Sequence, residues 1–133
     1  MGEPKALLEA ALYDLLKDEL SYTVRNGWAE EAIVEYVILQ SGGAGSDEDY
    51  YAKDRGAVYE YQVTGISANR ATALAMAVAV QDVMDGAKAE LSVSGHSVIR
   101  VTRAGQVDYA QEKPGGGRYF FVGWIYEIEL EEA

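Results

Sequence analysis

Few side chains in this sequence are of types that carry chemistry, and their spacing limits what each can do. His96 is the only histidine, and there is no cysteine. A hydrolytic triad needs a base held beside a nucleophile and oriented by a third group. His96 stands between Gly95 and Ser97 with no nucleophile elbow nearby, and Ser94 and Ser97 lie in a turn-like context, so it reads as a surface residue. Asp47, Glu48, Asp49 and Asp54 offer the oxygen ligands that a hard cation such as magnesium or calcium takes. The glycine and the closing glutamate of a calcium-binding loop are not at the required offsets, and the group reads as a solvated acidic loop. "GGAG" and "PGGGR" lack the lysine-serine pair and the strand-to-helix context of phosphate-cradling loops, and read as flexible connections. Glu127, Glu129, Glu131 and Glu132 alternate as the wet side of an edge strand does. The expectation is a protein that is not an enzyme and holds neither metal nor cofactor.

The elements that would position such groups follow from periodicity. Leu7, Leu8, Ala11, Leu12, Leu15 and Leu16 recur at helical spacing behind Pro4, which predicts an amphipathic helix over residues 4–20. "SYTVRNGWAEEA" predicts a brief strand and a surface loop around an Asn-Gly turn signal. "IVEYVILQSGG" is β-branched and aromatic and predicts a strand over residues 33–41, apolar on both faces and therefore central. Residues 42–56 form a long loop with glycine at both ends. Alternation predicts the next strand over residues 58–66. Ser67 is placed to cap a helix over residues 68–85, and Gly86 to end it. A strand over residues 98–111, bent at Gly105, the connection "EKPGGGR" and a final strand "RYFFVGWIYEIELEE" complete the chain. The fold class is α+β: one domain, 1–133, with a mostly antiparallel sheet and two helices packed on one face, in the order α-β-β-α-β-β.

Composition narrows the function classes. The 133 residues are 49% hydrophobic and 25% charged, with ten tyrosines, as in an ordinary folded domain. Twenty-two acidic residues against eleven basic ones give a net charge of −11, a surface that repels phosphates and disfavours gripping nucleic acid. No apolar run approaches the roughly 18 to 20 residues of a membrane span, and the first apolar residues are broken by Glu9 and Asp14, unlike a signal peptide. The expectation is a soluble product of the cytoplasm with no membrane partner.

The helix after Ser67 is the most informative feature, because it is apolar nearly all round. Ala73, Met76, Ala77, Val80 and Met84 form one stripe, and Ala71, Leu74, Ala75 and Val78 form a second more than a right angle away. A surface helix on a small sheet needs one such stripe. Two readings stand for the second: alanine is a good helix former that tolerates exposure, or the stripe is covered by another subunit. The apolar second face at the start of the last strand, Tyr119 and Phe121, favours the latter, since exposed apolar patches mark interaction sites.

A resemblance joins these elements. "ALLEAALYDLL", then "EYVILQSGG", then "YEYQVTGISANRATALAMAVAVQDVMDG" and a terminal hairpin closing with "RYFFVGWIYEIEL" resemble, in element order and length, the tail terminator or tail completion proteins of long-tailed bacteriophages. Many relatives carry a proline-containing segment where this chain has "WAEEAIVEY". The resemblance implies a structural virion protein forming a hexameric ring. Such a ring caps the tail tube, docks the head-side connector protein, and lets DNA pass without specific binding. It implies the tail-to-head junction of the virion as the location, after assembly in the host cytoplasm. By analogy, the loop 42–56 and the hairpin tip 112–118 reach neighbours, with Tyr50, Tyr51, Lys53, Arg55, Lys113 and Arg118 as contacts. Ala71, Leu74, Ala75 and Val78 are the candidate stripe for the neighbouring subunit, as a head-to-tail ring requires two different faces on each copy. Two alternatives remain open: a neighbouring head-completion or head-tail joining protein, and an acidic protein-binding module.

Overall fold

A computed structural model describes residues 4–27, 35–41 and 57–132. Its elements in chain order are α1 (Pro4–Glu19), β1 (Val24–Asn26), β2 (Tyr36–Ser41), β3 (Ala57–Ser67), α2 (Arg70–Asp85), the short α3 (Ala87–Glu90), β4 (His96–Glu112) and β5 (Arg118–Glu132). The strands form one sheet in the order β1-β2-β3-β5-β4. The class is α+β, with a mixed sheet of five strands and three helices.

The predicted order α-β-β-α-β-β needs three corrections. The sheet has a third strand before α2, a one-turn helix α3 follows α2, and β1 runs parallel to β2 while the other neighbours are antiparallel. Asn26-Gly27 does not turn a hairpin, because nine residues separate β1 from β2. Instead Gly27 continues the ladder, its N–H donating to the Leu39 carbonyl at 3.0 Å.

One stripe of α1 builds the core. Leu8, Leu12 and Leu16, continued by Leu20 just past the helix end, recur every fourth residue, are 0 to 7% exposed, and pack with Val37 and Leu39 of β2 and Tyr59, Tyr61 and Val63 of β3. Met76, Val80 and Met84 of α2 and Tyr126, Ile128 and Leu130 of β5 join the same cluster, so both long helices cover one face of the sheet. Burying side chains of this size stabilises by about 1.5 to 3 kcal/mol each. The Tyr61 hydroxyl reaches the Lys5 carbonyl at 3.5 Å and Glu9 Oε1 at 3.4 Å, tying the start of α1 to the middle strand. Burial, reinforced by the Glu9 carboxylate, raises the Tyr61 pKa above the ordinary phenol value.

Two glycines let the layers close. A Cβ at Gly65 of β3 would stand 2.5 Å from Met76 Cβ, so α2 rests directly on backbone there. A Cβ at Gly123 of β5 would stand 2.6 Å from Thr64 Cα and closer still to the Val63 carbonyl oxygen of β3.

The start of β5 is apolar on both faces for an internal reason. Phe120 and Val122 pack beneath Ala73 and Ala77 of α2. Phe121 is 6% exposed on the other face, in a second cluster with Tyr36, Ile38, Ile66 and Val107, and stacks on Tyr109 with ring centroids 4.6 Å apart. Tyr119 and Phe121 therefore serve the subunit itself, which removes them as support for an intersubunit surface.

Candidate functional site

The second stripe of α2 is bare. Ala73, Met76, Ala77, Val80 and Met84 are buried, as the core stripe requires, while Ala71, Leu74, Ala75 and Val78 are exposed, Leu74 to 40% and Val78 to 55%. Leu74 and Val78 are two of only four large apolar side chains exposed among the described residues, the others being Ile99 and Tyr109 of β4. The apolar patch thus lies on a rigid element whose opposite side is fixed in the core.

How α2 begins determines where that stripe points. Ser67 ends β3 and does not cap the helix as expected. Its hydroxyl donates to Glu35 Oε2 at 2.9 Å and accepts from the Asn69 N–H at 3.0 Å, a local turn two residues wide. The cap is Asn69, whose extended backbone and Oδ1, accepting from the Thr72 N–H at 3.1 Å, start the helix at Arg70. Arg70 then reaches β4 with both guanidinium nitrogens, binding Asp108 at 2.9 and 3.0 Å. Hydrogen bonds from that guanidinium hold the Asp108 carboxyl below its usual pKa. Leu74 and Val78 follow Arg70 at four-residue intervals and, with Ala71 and Ala75, occupy the side of α2 away from its buried stripe.

A second set of contacts locks α2 to β5. Trp124 Nε1 donates to the Ala77 carbonyl at 2.9 Å, and the Arg103 guanidinium of β4 covers the indole at 4.9 Å from its centre. The Tyr126 hydroxyl is buried beside the same guanidinium without a well-formed hydrogen bond to it. Burial raises its pKa to about 12, with the Asp85 carboxylate adding to the rise and Arg103 opposing it. Periodicity alone does not reveal these contacts, which join residues up to 47 positions apart.

The β4–β5 hairpin carries two of the predicted contact residues. Gly115, Gly116 and Gly117 all take positive φ, a turn that side chains with a Cβ rarely adopt, and Lys113 and Arg118 stand on either side of it. Lys113 is half-buried with Nζ 4.9 Å over the Tyr119 ring, whereas Arg118 is exposed and pairs in register with Glu112. Of the two cations, Arg118 is the exposed one. Tyr50, Tyr51, Lys53 and Arg55 lie outside the described residues, as do the acidic residues of the loop 42–56.

No group of three or more histidines or carboxylates among the described residues is arranged to hold a metal. His96 opens β4 with Nδ1 3.0 Å from the Ser94 carbonyl, a local contact, and forms no salt bridge among the described residues. No described helix is long and apolar enough to cross a membrane.

No protein-family model matches the sequence, and no curated protein matches it. Solved structures do match the fold. A chain from the virion of a native gene transfer agent particle superposes with a TM-score of 0.69 at 20% identity, over 98% of this chain and 99% of that one. A second solved chain, whose name states no function, superposes with a TM-score of 0.62 at 15% identity, over 99% of each. At these identities the likeness shows a shared fold running the whole length of the chain.

Proposed function

We propose that this chain is a structural protein of a phage-like virion: a non-enzymatic subunit that assembles head to tail into a ring, a hexamer by family analogy. The ring caps the tail tube and joins it to the head connector. The observation that carries the reading is the bare apolar stripe Leu74–Val78 on a helix whose other apolar stripe is buried in the core. A monomer gains nothing from exposing it, whereas a subunit interface buries it. The full-length likeness to a virion chain supports the same reading. The net charge of −11 suits a ring through which DNA slides without being held.

Particles made without this protein test the reading by electron microscopy. A terminator leaves overlong tails when it is missing. Normal free tails beside leaking heads point instead to the head-completion role. A chain that stays monomeric in light scattering and does not bind tube ends overturns the proposal. Binding to a basic protein by a stable monomer, weakening steeply with salt, is the outcome expected of an acidic binding module.

A further inference from the structure

The sheet has two edges, and they differ in what they offer a further strand. At the first, β1 is three residues long. Its ladder with β2 uses the Thr23 carbonyl and the Gly27 N–H, which leaves the Val24 carbonyl pointing outward, where the Tyr13 hydroxyl of α1 meets it at 3.4 Å. At the second, β4 runs for 17 residues with β5 on one side and no described strand on the other. Its register shifts lie before Gly105, and residues 105–112 are regular. Bulges guard an edge against further pairing, and the regular stretch carries none. Which backbone groups are free there follows from the hairpin turn. The Lys113 N–H donates to the Gly117 carbonyl at 3.0 Å, and the antiparallel ladder alternates from that bond. Tyr109 and Gln111 therefore bond β5, whereas Gln106, Asp108, Ala110 and Glu112 turn their N–H and C=O groups outward. All four of these are exposed. Among them Tyr109 is 47% exposed, its ring held flat on Phe121.

We propose that this edge pairs with the same edge of a second copy, antiparallel about a two-fold axis at Tyr109. The short, partly occupied edge of β1 cannot match it, so its counterpart in another copy is a second β4. Charge then selects the register, because like charges directly opposite each other repel. Centring the pair on Asp108 sets Asp108 against its own copy, and centring it on Ala110 sets Asp108 against Glu112. Centring it on Tyr109 sets Asp108 beside Ala110 and Gln106 beside Glu112, with the two Tyr109 side chains adjacent. Centres farther along run into the register shift or off the hairpin tip. A two-fold contact uses one patch on both copies and closes at two. The pair therefore goes beyond the ring reading and uses neither Leu74 nor Val78.

The chain has no cysteine, so single cysteines report the register. Tyr109→Cys faces its own copy at a pair that shares no ladder bond, where Cα atoms stand about 4.5 Å apart, and is expected to give a disulfide-linked dimer under mild oxidation. Gln111→Cys, two residues off the axis, is expected to link about tenfold less. Ala110→Pro removes an outward N–H that β5 does not use, and is expected to weaken dimerisation in sedimentation equilibrium by about tenfold or more. Ala110→Lys, opposite the partner's Asp108, is expected to tighten the dimer and Ala110→Asp to weaken it, each by about fivefold. Equal linking by the two cysteine variants overturns the pairing, as do equal shifts by Ala110→Lys and Ala110→Asp, or a wild-type chain that is monomeric throughout. The ring is read separately, by size. Loss of the dimer in Ala110→Pro while ring-sized species persist supports the pair and leaves the ring, whereas wild-type dimers that form no ring with tail tubes present support the pair and count against the ring.

Discussion

Trp124 Nε1 donates to the Ala77 carbonyl at 2.9 Å, so a strand side chain is bonded to the backbone of the middle of a helix. Helix and strand are otherwise held by non-directional packing, and this bond fixes how far α2 slides along β5. Trp124→Phe keeps most of the apolar contact and removes the donor. The expected loss is about 1 kcal/mol, read from urea denaturation, with the denaturant slope unchanged.

The close approach of layers at Gly65 and Gly123 predicts an order of severity. Gly65→Ala drives a methyl against Met76 Cβ and is expected to cost about 1 to 3 kcal/mol. Gly123→Ala meets the backbone of Val63 and Thr64, which has no rotamer to change, and is expected to cost more. Met76→Ala does not rescue Gly65→Ala, since the obstructing Cβ remains. Thermal unfolding of the three variants and the double variant checks all three statements.

The helix start separates two residues that sequence alone confuses. Asn69→Ala removes the acceptor of the Thr72 N–H and is expected to destabilise by about 1 kcal/mol. Ser67→Ala removes a buried hydroxyl that links Glu35 to the Asn69 N–H. Its cost is expected to fall with Glu35→Ala already in place, which a double-mutant cycle measures.

Ser67 and Asn69 also show what was legible in the sequence. Both are good caps, and choosing between them needs the tertiary partner Glu35, 32 residues away. Local signals fared well where one period dominates: the alternation in β3 and β5, the fourfold leucine stripe of α1 and the buried stripe of α2 are visible as spacing. At Gly105, where a bend was expected, the β4–β5 register shifts between Arg103 and Gly105, as it does again between Val98 and Arg100. The direction of β1 was not legible, because parallel and antiparallel neighbours of three residues look alike in sequence. Nor was the second use of β5: Tyr119 and Phe121 read as surplus apolar surface until Tyr36, Ile38 and Ile66 arrive from other strands to cover them. The separation of the two α2 stripes was legible because the helical period alone assigns them.

Alkaline pH is expected to unfold this protein through its core tyrosines. Tyr61 and Tyr126 hold their protons more tightly when folded, Tyr126 at about 12 against an ordinary 10.0. The native state therefore binds more protons than the unfolded chain above pH 10. The stability is fully present below that value and is lost as pH rises toward 12, by about 3 kcal/mol for Tyr126. Tyr126→Phe is expected to flatten this loss. It is expected to cost less than about 1 kcal/mol at neutral pH, because the hydroxyl it removes makes no well-formed hydrogen bond among the described residues. Urea midpoints from pH 7 to 12 for both chains provide the check.

Charge placed on the two sides of α2 separates folding from assembly. Leu74→Asp with Val78→Asp puts carboxylates at positions already 40% and 55% exposed, so the folding midpoint is expected to move by less than about 0.5 kcal/mol per site. If the proposed ring buries this flank, the same pair desolvates two unpaired charges at every subunit contact. Association in light scattering is then expected to disappear while the circular dichroism spectrum stays native. Ala77→Asp, at a position 2% exposed beneath the same helix, is expected to unfold the monomer instead. Full assembly by the Leu74, Val78 double variant would remove this flank from the interface, because no close contact between subunits leaves two carboxylates at its centre without cost.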